Sequence, residues 1–143
     1  MTNFQEIIMN QVHKLLMPNE KYEEYTKDAS KKKQAKIHLA DGQMHLQSKE
    51  YNQAINCGKD ALTAMRYGKR DRKFTAHEID TRVLPALLLL AQTNFEMQQY
   101  NKTLFYCDQI LVLRPNHKKT KFLQSTANLQ KGSFSAALKF YKQ

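Results

Sequence analysis

The feature that most constrains this 143-residue chain is a pattern that recurs along it. Residues 91–103 (Ala91-Gln92-Thr93-Asn94-Phe95-Glu96-Met97-Gln98-Gln99-Tyr100-Asn101-Lys102-Thr103) align with residues 125–137 at a constant offset of 34. A third copy lies upstream at residues 42–54. Its offset to the middle copy is 49, the same period plus an insertion of 15. Each copy begins on a small residue (Gly42, Ala91, Ser125), and nine residues later comes an aromatic (Tyr51, Tyr100, Phe134). Three further on stands another small residue (Ala54, Thr103, Ala137). Small side chains let two antiparallel helices approach closely, and the aromatic closes the corner between them. Units of this length bury a core by stacking on their neighbours, so the expectation is an all-α helical repeat.

The period and these residues resemble the tetratricopeptide repeat, a 34-residue helix–turn–helix unit. The resemblance covers about residues 35–143, and Leu113-Arg114-Pro115-Asn116 closes the middle copy with a proline after the helix end. It implies about three helix–turn–helix units in a right-handed superhelix, at residues 35–67, 83–116 and 117–143. The second helix of the last unit would run only from Phe134 to Gln143. The insertion from Thr63 to Arg82 has one Gly and no Pro, so it is expected to extend the flanking helices. Together with Leu84–Ala91 and Tyr106–Asn116, it is similar to the repeat module of large immunophilins. No isomerase domain is expected, because nothing long enough precedes the repeats.

Composition supports helices and removes other classes. Only four Gly and three Pro occur, and 41% of residues are hydrophobic, too many and too regularly spaced for a disordered chain. Two cysteines fifty residues apart build neither a disulfide scaffold nor a four-ligand zinc site. The longest apolar run, Val83 to Ala91, falls far short of the ~20 residues of a membrane span, so none is expected. Phe4, Ile7, Ile8, Val12, Leu15 and Leu16 recur at helical spacing, predicting an N-terminal amphipathic helix that Pro18 ends. No Arg precedes Arg66, which argues against a mitochondrial presequence and for a packing or docking helix. Residues 1–34 thus form this helix and a charged linker.

The net charge of +10 is gathered in three places. Lys27, Lys31, Lys32, Lys33 and Lys36 form the first cluster. Arg66, Lys69, Arg70, Arg72, Lys73 and Arg82 form the second, diluted by Asp71, Glu78 and Asp80. Arg114, Lys118, Lys119 and Lys121 form the third. Clusters of this kind attract RNA or acidic proteins. They are also ordinary solvated helix ends, and no aromatics interleave them as a base-stacking platform requires.

Co-chaperone members of the tetratricopeptide family grip chaperone C-terminal carboxylates with Lys, Asn and Arg on the concave face. Residue by residue, the matching positions here are Leu39, Gln43, Leu89, Lys119 and Leu123. Only Lys119 keeps its type, so the charge-assisted hydrogen bonds of such a clamp are largely lost. By the same resemblance the concave face shows Leu39, Leu46, Leu88, Leu89, Phe95, Phe122 and Leu123, interrupted by Gln43, Gln92 and Lys119. A groove of this kind suits an apolar helix or segment. Several of its leucines are equally readable as core. The chain stops without a polar capping helix, which implies an open C-terminal face covered by a partner or by self-association.

His38, Asp41 and His45 share a helix face, where a hydrogen-bonded cluster is favoured over a metal site for want of a fourth ligand. Cys57 and Cys107 are expected as buried structural thiols. No phosphate loop, nucleophile elbow or metalloprotease motif is present, so no enzyme activity, cofactor or small-molecule ligand is expected. The expected function is a protein-interaction scaffold, a subunit of a larger assembly. A basic RNA- or ribosome-associated protein is the alternative, and a co-chaperone-like adaptor the third reading. The compartment expected is intracellular and cytoplasmic, with mitochondrial or ciliary and cytoskeletal assemblies also open.

Overall fold

The computed structural model describes the backbone of residues 19–141 and the side chains of residues 30–133. The amphipathic helix expected at residues 1–17 lies outside the described residues. Five helices carry the described chain: α1 (Asn19–Gln47), α2 (Tyr51–Ala64), α3 (Leu84–Glu96), α4 (Tyr100–Leu113) and α5 (Lys118–Tyr141). No strand occurs among the described residues, so the fold is all-α. The chain divides into two units, residues 1–33 and 34–143, and the hairpins described next belong to the second. The stretch expected as a charged linker is helical from Asn19. Its sequence explains this: Glu20, Glu23 and Glu24 favour a helix start, Lys31 to Lys33 come later, and no Gly or Pro interrupts before Gly42.

Two tight turns make hairpins of α1–α2 and α3–α4, and they are the same turn. Ser48, Lys49 and Glu50 donate backbone hydrogen bonds to the carbonyls of Met44, Leu46 and His45. Met97, Gln98 and Gln99 donate to Thr93, Phe95 and Asn94, each of them 49 residues further on. The central residues, Lys49 and Gln98, both take left-handed backbone with φ of 61° and 62°. This closure satisfies the carbonyls left open at a helix end.

Small residues bring the hairpins together. A Cβ on Gly58 in α2 would lie 2.8 Å from Leu90 of α3, and one on Gly42 in α1 would lie 2.5 Å from Leu89. Ala54, Ala61, Ala86, Ala91, Thr103 and Cys107 are fully buried. The main core joins Ala35 and Leu39 of α1, Ala61 of α2, Val83, Leu84 and Leu87 before and within α3, and Ile110 of α4. Phe95 and Tyr100 meet edge-on at 5.8 Å across the second turn.

The insertion departs from the expected helix extensions on its upstream side. α2 stops at Ala64 because Arg66 and Gly68 turn left-handed, with φ of 59° and 87°. Downstream, a helical turn at Ala76–Glu78 starts on a capping box between Thr75 and Glu78. It passes through a π-helical segment, Ile79–Val83, into α3. Pro85 lacks an N–H and its ring would crowd the Thr81 carbonyl, and the widened turn accommodates both. Arg72 pins the loop between, bonding Glu78 at 2.6 Å, the Lys73 carbonyl at 2.8 Å and the Met65 carbonyl at 3.2 Å. Its guanidinium also lies 4.3 Å over the Phe74 ring.

The last unit, expected as a hairpin at 117–143, is corrected: α5 runs unbroken to Tyr141, through Gly132. Where α3 buries Leu87 and Leu90, the matching residues of α5 are Lys121 and Gln124, and Gln124 donates to Asp108 of α4 at 3.1 Å. Over its described side chains α5 therefore lacks the two leucines that a returning helix would cover.

Candidate functional site

Helical periodicity builds the site. On α1, Leu39, Gln43 and Leu46 stand at i, i+4 and i+7; on α3 the same places hold Leu88, Gln92 and Phe95, and on α5 Phe122, Thr126 and Leu129. Two open cavities lie along these stripes. The first, about 640 Å³, is lined by Gln43, Leu84, Pro85, Leu88, Leu89, Gln92 and Lys119, with Asp80, Arg114, Pro115, Asn116 and His117 at its polar side. The second, about 530 Å³, is lined by Leu46, Gln47, Lys49, Tyr51, Gln92, Phe95, Glu96, Lys119, Phe122 and Leu123. Gln92 and Lys119 belong to both, so the cavities adjoin there.

Of the ten groove residues expected from sequence, nine line one cavity or the other. Leu39 does not: it is 7% exposed and packs in the core with Ala61 and Leu87. Leu89, 2% exposed, is core as much as wall. Phe122 stands at the other extreme, 75% exposed.

The polar side of the first cavity escaped sequence reasoning, because it comes from the insertion and the turn from α4 into α5. Arg114 Nε donates to Asp80 Oδ1 at 2.9 Å, tying the end of α4 to the run before α3. His117 Nδ1 accepts from the Thr120 amide at 3.3 Å, capping the start of α5. One signal was visible: the Arg114-Pro115-Asn116 break marks a turn at this place. Gln43, Gln92 and Lys119 have no side-chain hydrogen bond or ion pair among the described residues.

The structure redistributes the expected basic surface. Arg66 is engaged by Asp71 at 3.0 Å, and that carboxyl is held below its usual range chiefly by the guanidinium hydrogen bond. Arg72 is half-buried against Glu78. Lys31, Lys32, Lys33, Lys69, Arg70, Lys73, Lys118 and Lys121 are exposed. His45 faces Glu50 at 3.4 Å in place of the expected cluster with His38 and Asp41. Among the described residues no group of three His, Cys, Asp or Glu side chains is placed to hold a metal. Cys107 is buried, which together with Asp108 pushes its thiol up to about 11; Cys57 is half-buried and raised by burial, Asp41 and Asp60. No described helix is long and apolar enough to cross a membrane.

Comparison with known proteins adds no relative: no family model, no curated protein and no solved structure matches this chain.

Proposed function

We propose that the chain is a non-catalytic interaction module of tetratricopeptide type, part of a larger protein assembly, that binds an apolar helix or segment in the groove between α1, α3 and α5. The observation that carries this reading is the pair of adjoining cavities, mostly apolar in lining surface though polar side chains are numerous, joined at Gln92 and Lys119. Concave, mostly apolar sites with a few unengaged polar groups are where proteins bind ligands. The two turns related by 49 residues support the repeat assignment, with two hairpins and one further helix in place of three hairpins.

The Lys and Arg clusters support an RNA-binding reading less well, since Arg66, Arg72 and Arg114 are engaged by acidic partners within the fold. Phe122→Glu is the deciding variant. Phe122 is exposed, so the variant should fold as the parent does and lose partner binding. Lys69→Ala with Arg70→Ala and Lys73→Ala should leave binding intact. Binding that weakens steeply with salt and survives Phe122→Glu would overturn the proposal.

A further inference from the structure

Asn101, Phe105, Asp108 and Val112 form one stripe of α4, at i, i+4, i+7 and i+11, and all four are exposed. Phe105 is 62% exposed and Val112 80%. Single apolar residues on a surface are ordinary, but two large ones a whole heptad apart on one helix face outline a contact. The stripe borders α5, because Gln124 donates to Asp108 at 3.1 Å.

That hydrogen bond also sets the register of the two antiparallel helices. Eight residues back from Asp108 is Tyr100, the first residue of α4, and eight on from Gln124 is Gly132. α5 nevertheless continues unbroken to Tyr141. Its last turns, from residue 134 on, therefore overhang the start of α4 by about 1.5 Å per residue. In sequence this overhang is amphipathic: Phe134, Ala137, Leu138 and Tyr141 recur at i, i+3, i+4 and i+7. That apolar face spans seven residues, as Phe105 to Val112 does. It also corresponds, at the offset of 34, to the run from Tyr100 that opens α4.

The chain thus carries an uncovered apolar stripe and an overhanging helix end of matching length. Folded back on its own chain, that end would have to cover α5 as well as α4, and α5 offers Lys121 and Gln124 there. The same segment of a second copy is free of any turn after α5 and can lie along α4 alone. We propose that the chain forms a two-fold dimer in which residues 134–141 of each copy lie along Phe105 and Val112 of the other. Each copy gives one segment and receives one, so the exchange closes on itself. The dimer is independent of the groove between α1, α3 and α5.

Sedimentation velocity of the full chain across concentration tests this. A dimer is expected, and Val112→Lys or Leu138→Lys should each raise its dissociation constant about tenfold or more. Phe122→Glu, in the groove, should leave it unchanged. In a Cys57→Ala background, Val112→Cys mixed with Leu138→Cys should yield disulfide-linked pairs of chains on oxidation, and the double variant should also link between chains. A chain that stays monomeric at every concentration, or a dimer that ignores Val112→Lys, would overturn the proposal. So would a double variant whose disulfide closes within one chain, which would show the segment folding back. A dimer broken by Phe122→Glu would move the contact to the groove and overturn it as well.

Discussion

Lys49 and Gln98, 49 residues apart, hold the same left-handed backbone at the same point of two helical hairpins, with φ of 61° and 62°. A left-handed conformation costs an ordinary residue roughly 1–2 kcal/mol, and glycine far less. Lys49→Gly and Gln98→Gly should therefore each stabilise the fold by about 0.5–1 kcal/mol, part of the gain being offset by glycine's freedom in the unfolded chain. Urea unfolding of each variant measures this. Loss of stability in both would show that the two turns are held by something other than their backbone.

Three glycines on helices should respond differently to Ala. Gly58→Ala drives a Cβ to 2.8 Å from Leu90 Cγ and Cδ2, in a fully buried side chain, and should cost about 2 kcal/mol. Gly42→Ala meets the end of the Leu89 side chain, the Cys57 Cβ and, at ordinary contact distance, the Ala54 carbonyl, and should cost less. Gly132→Ala meets nothing within 4 Å and should gain up to about 1 kcal/mol by helix propensity. A destabilised Gly132→Ala would argue that α5 turns at this residue.

The Arg72–Glu78 pair ties stability to pH. Burial pushes the Glu78 carboxyl up, but the Arg72 guanidinium and the Thr75 cap outweigh it and hold the carboxyl below its usual range. A carboxylate depressed in the folded state contributes fully above its unfolded pKa, about 4.3, and the contribution disappears as pH falls through the native value. Glu78→Gln should flatten the loss of stability on acidification below that point. Arg72→Ala should cost about 2 kcal/mol at neutral pH, because it removes the ion pair, two carbonyl contacts and the Phe74 stacking together.

Thiol reagents should distinguish the two cysteines. With its pKa pushed up to about 11 and its side chain buried, Cys107 should label only as the protein unfolds. Half-buried Cys57 should label first, at a rate below that of a free thiol. Equal rates for both in native conditions would contradict the packing of α4 against α3.

Leu39 and Phe122, both expected in the groove from sequence, should respond oppositely to truncation. Leu39→Ala empties a core position and should cost about 2–4 kcal/mol. Phe122→Ala should change stability little, because that side chain is 75% exposed.

The helical class and the two hairpin turns were legible from period and residue size, because both are set by local spacing. That Gln43, Leu46, Leu88, Gln92, Phe95 and Phe122 line the cavities follows from the same spacing: once a helix is granted, i, i+4 and i+7 fix a face. What was not legible depends on which neighbours fold against a residue. Leu39 reads like Leu88, but α2 and the run into α3 close over it. Arg72 reads like the surface cations beside it until Glu78 and Phe74 fold around it. The third hairpin was expected from Ser125, Phe134 and Ala137, while Lys121 and Gln124 stand where α3 has the buried Leu87 and Leu90.

The central claim, that the groove between α1, α3 and α5 is the binding surface, is tested most directly by nuclear magnetic resonance shift mapping of the full chain with a display-selected peptide. The account predicts that the perturbed amides and side chains cluster at Gln43, Leu88, Gln92, Phe95 and Phe122, with the loop around Lys69, Arg70 and Lys73 unchanged. Perturbations centred on that basic loop, or on the outer face of α5 at Lys121 and Ser125, would contradict it.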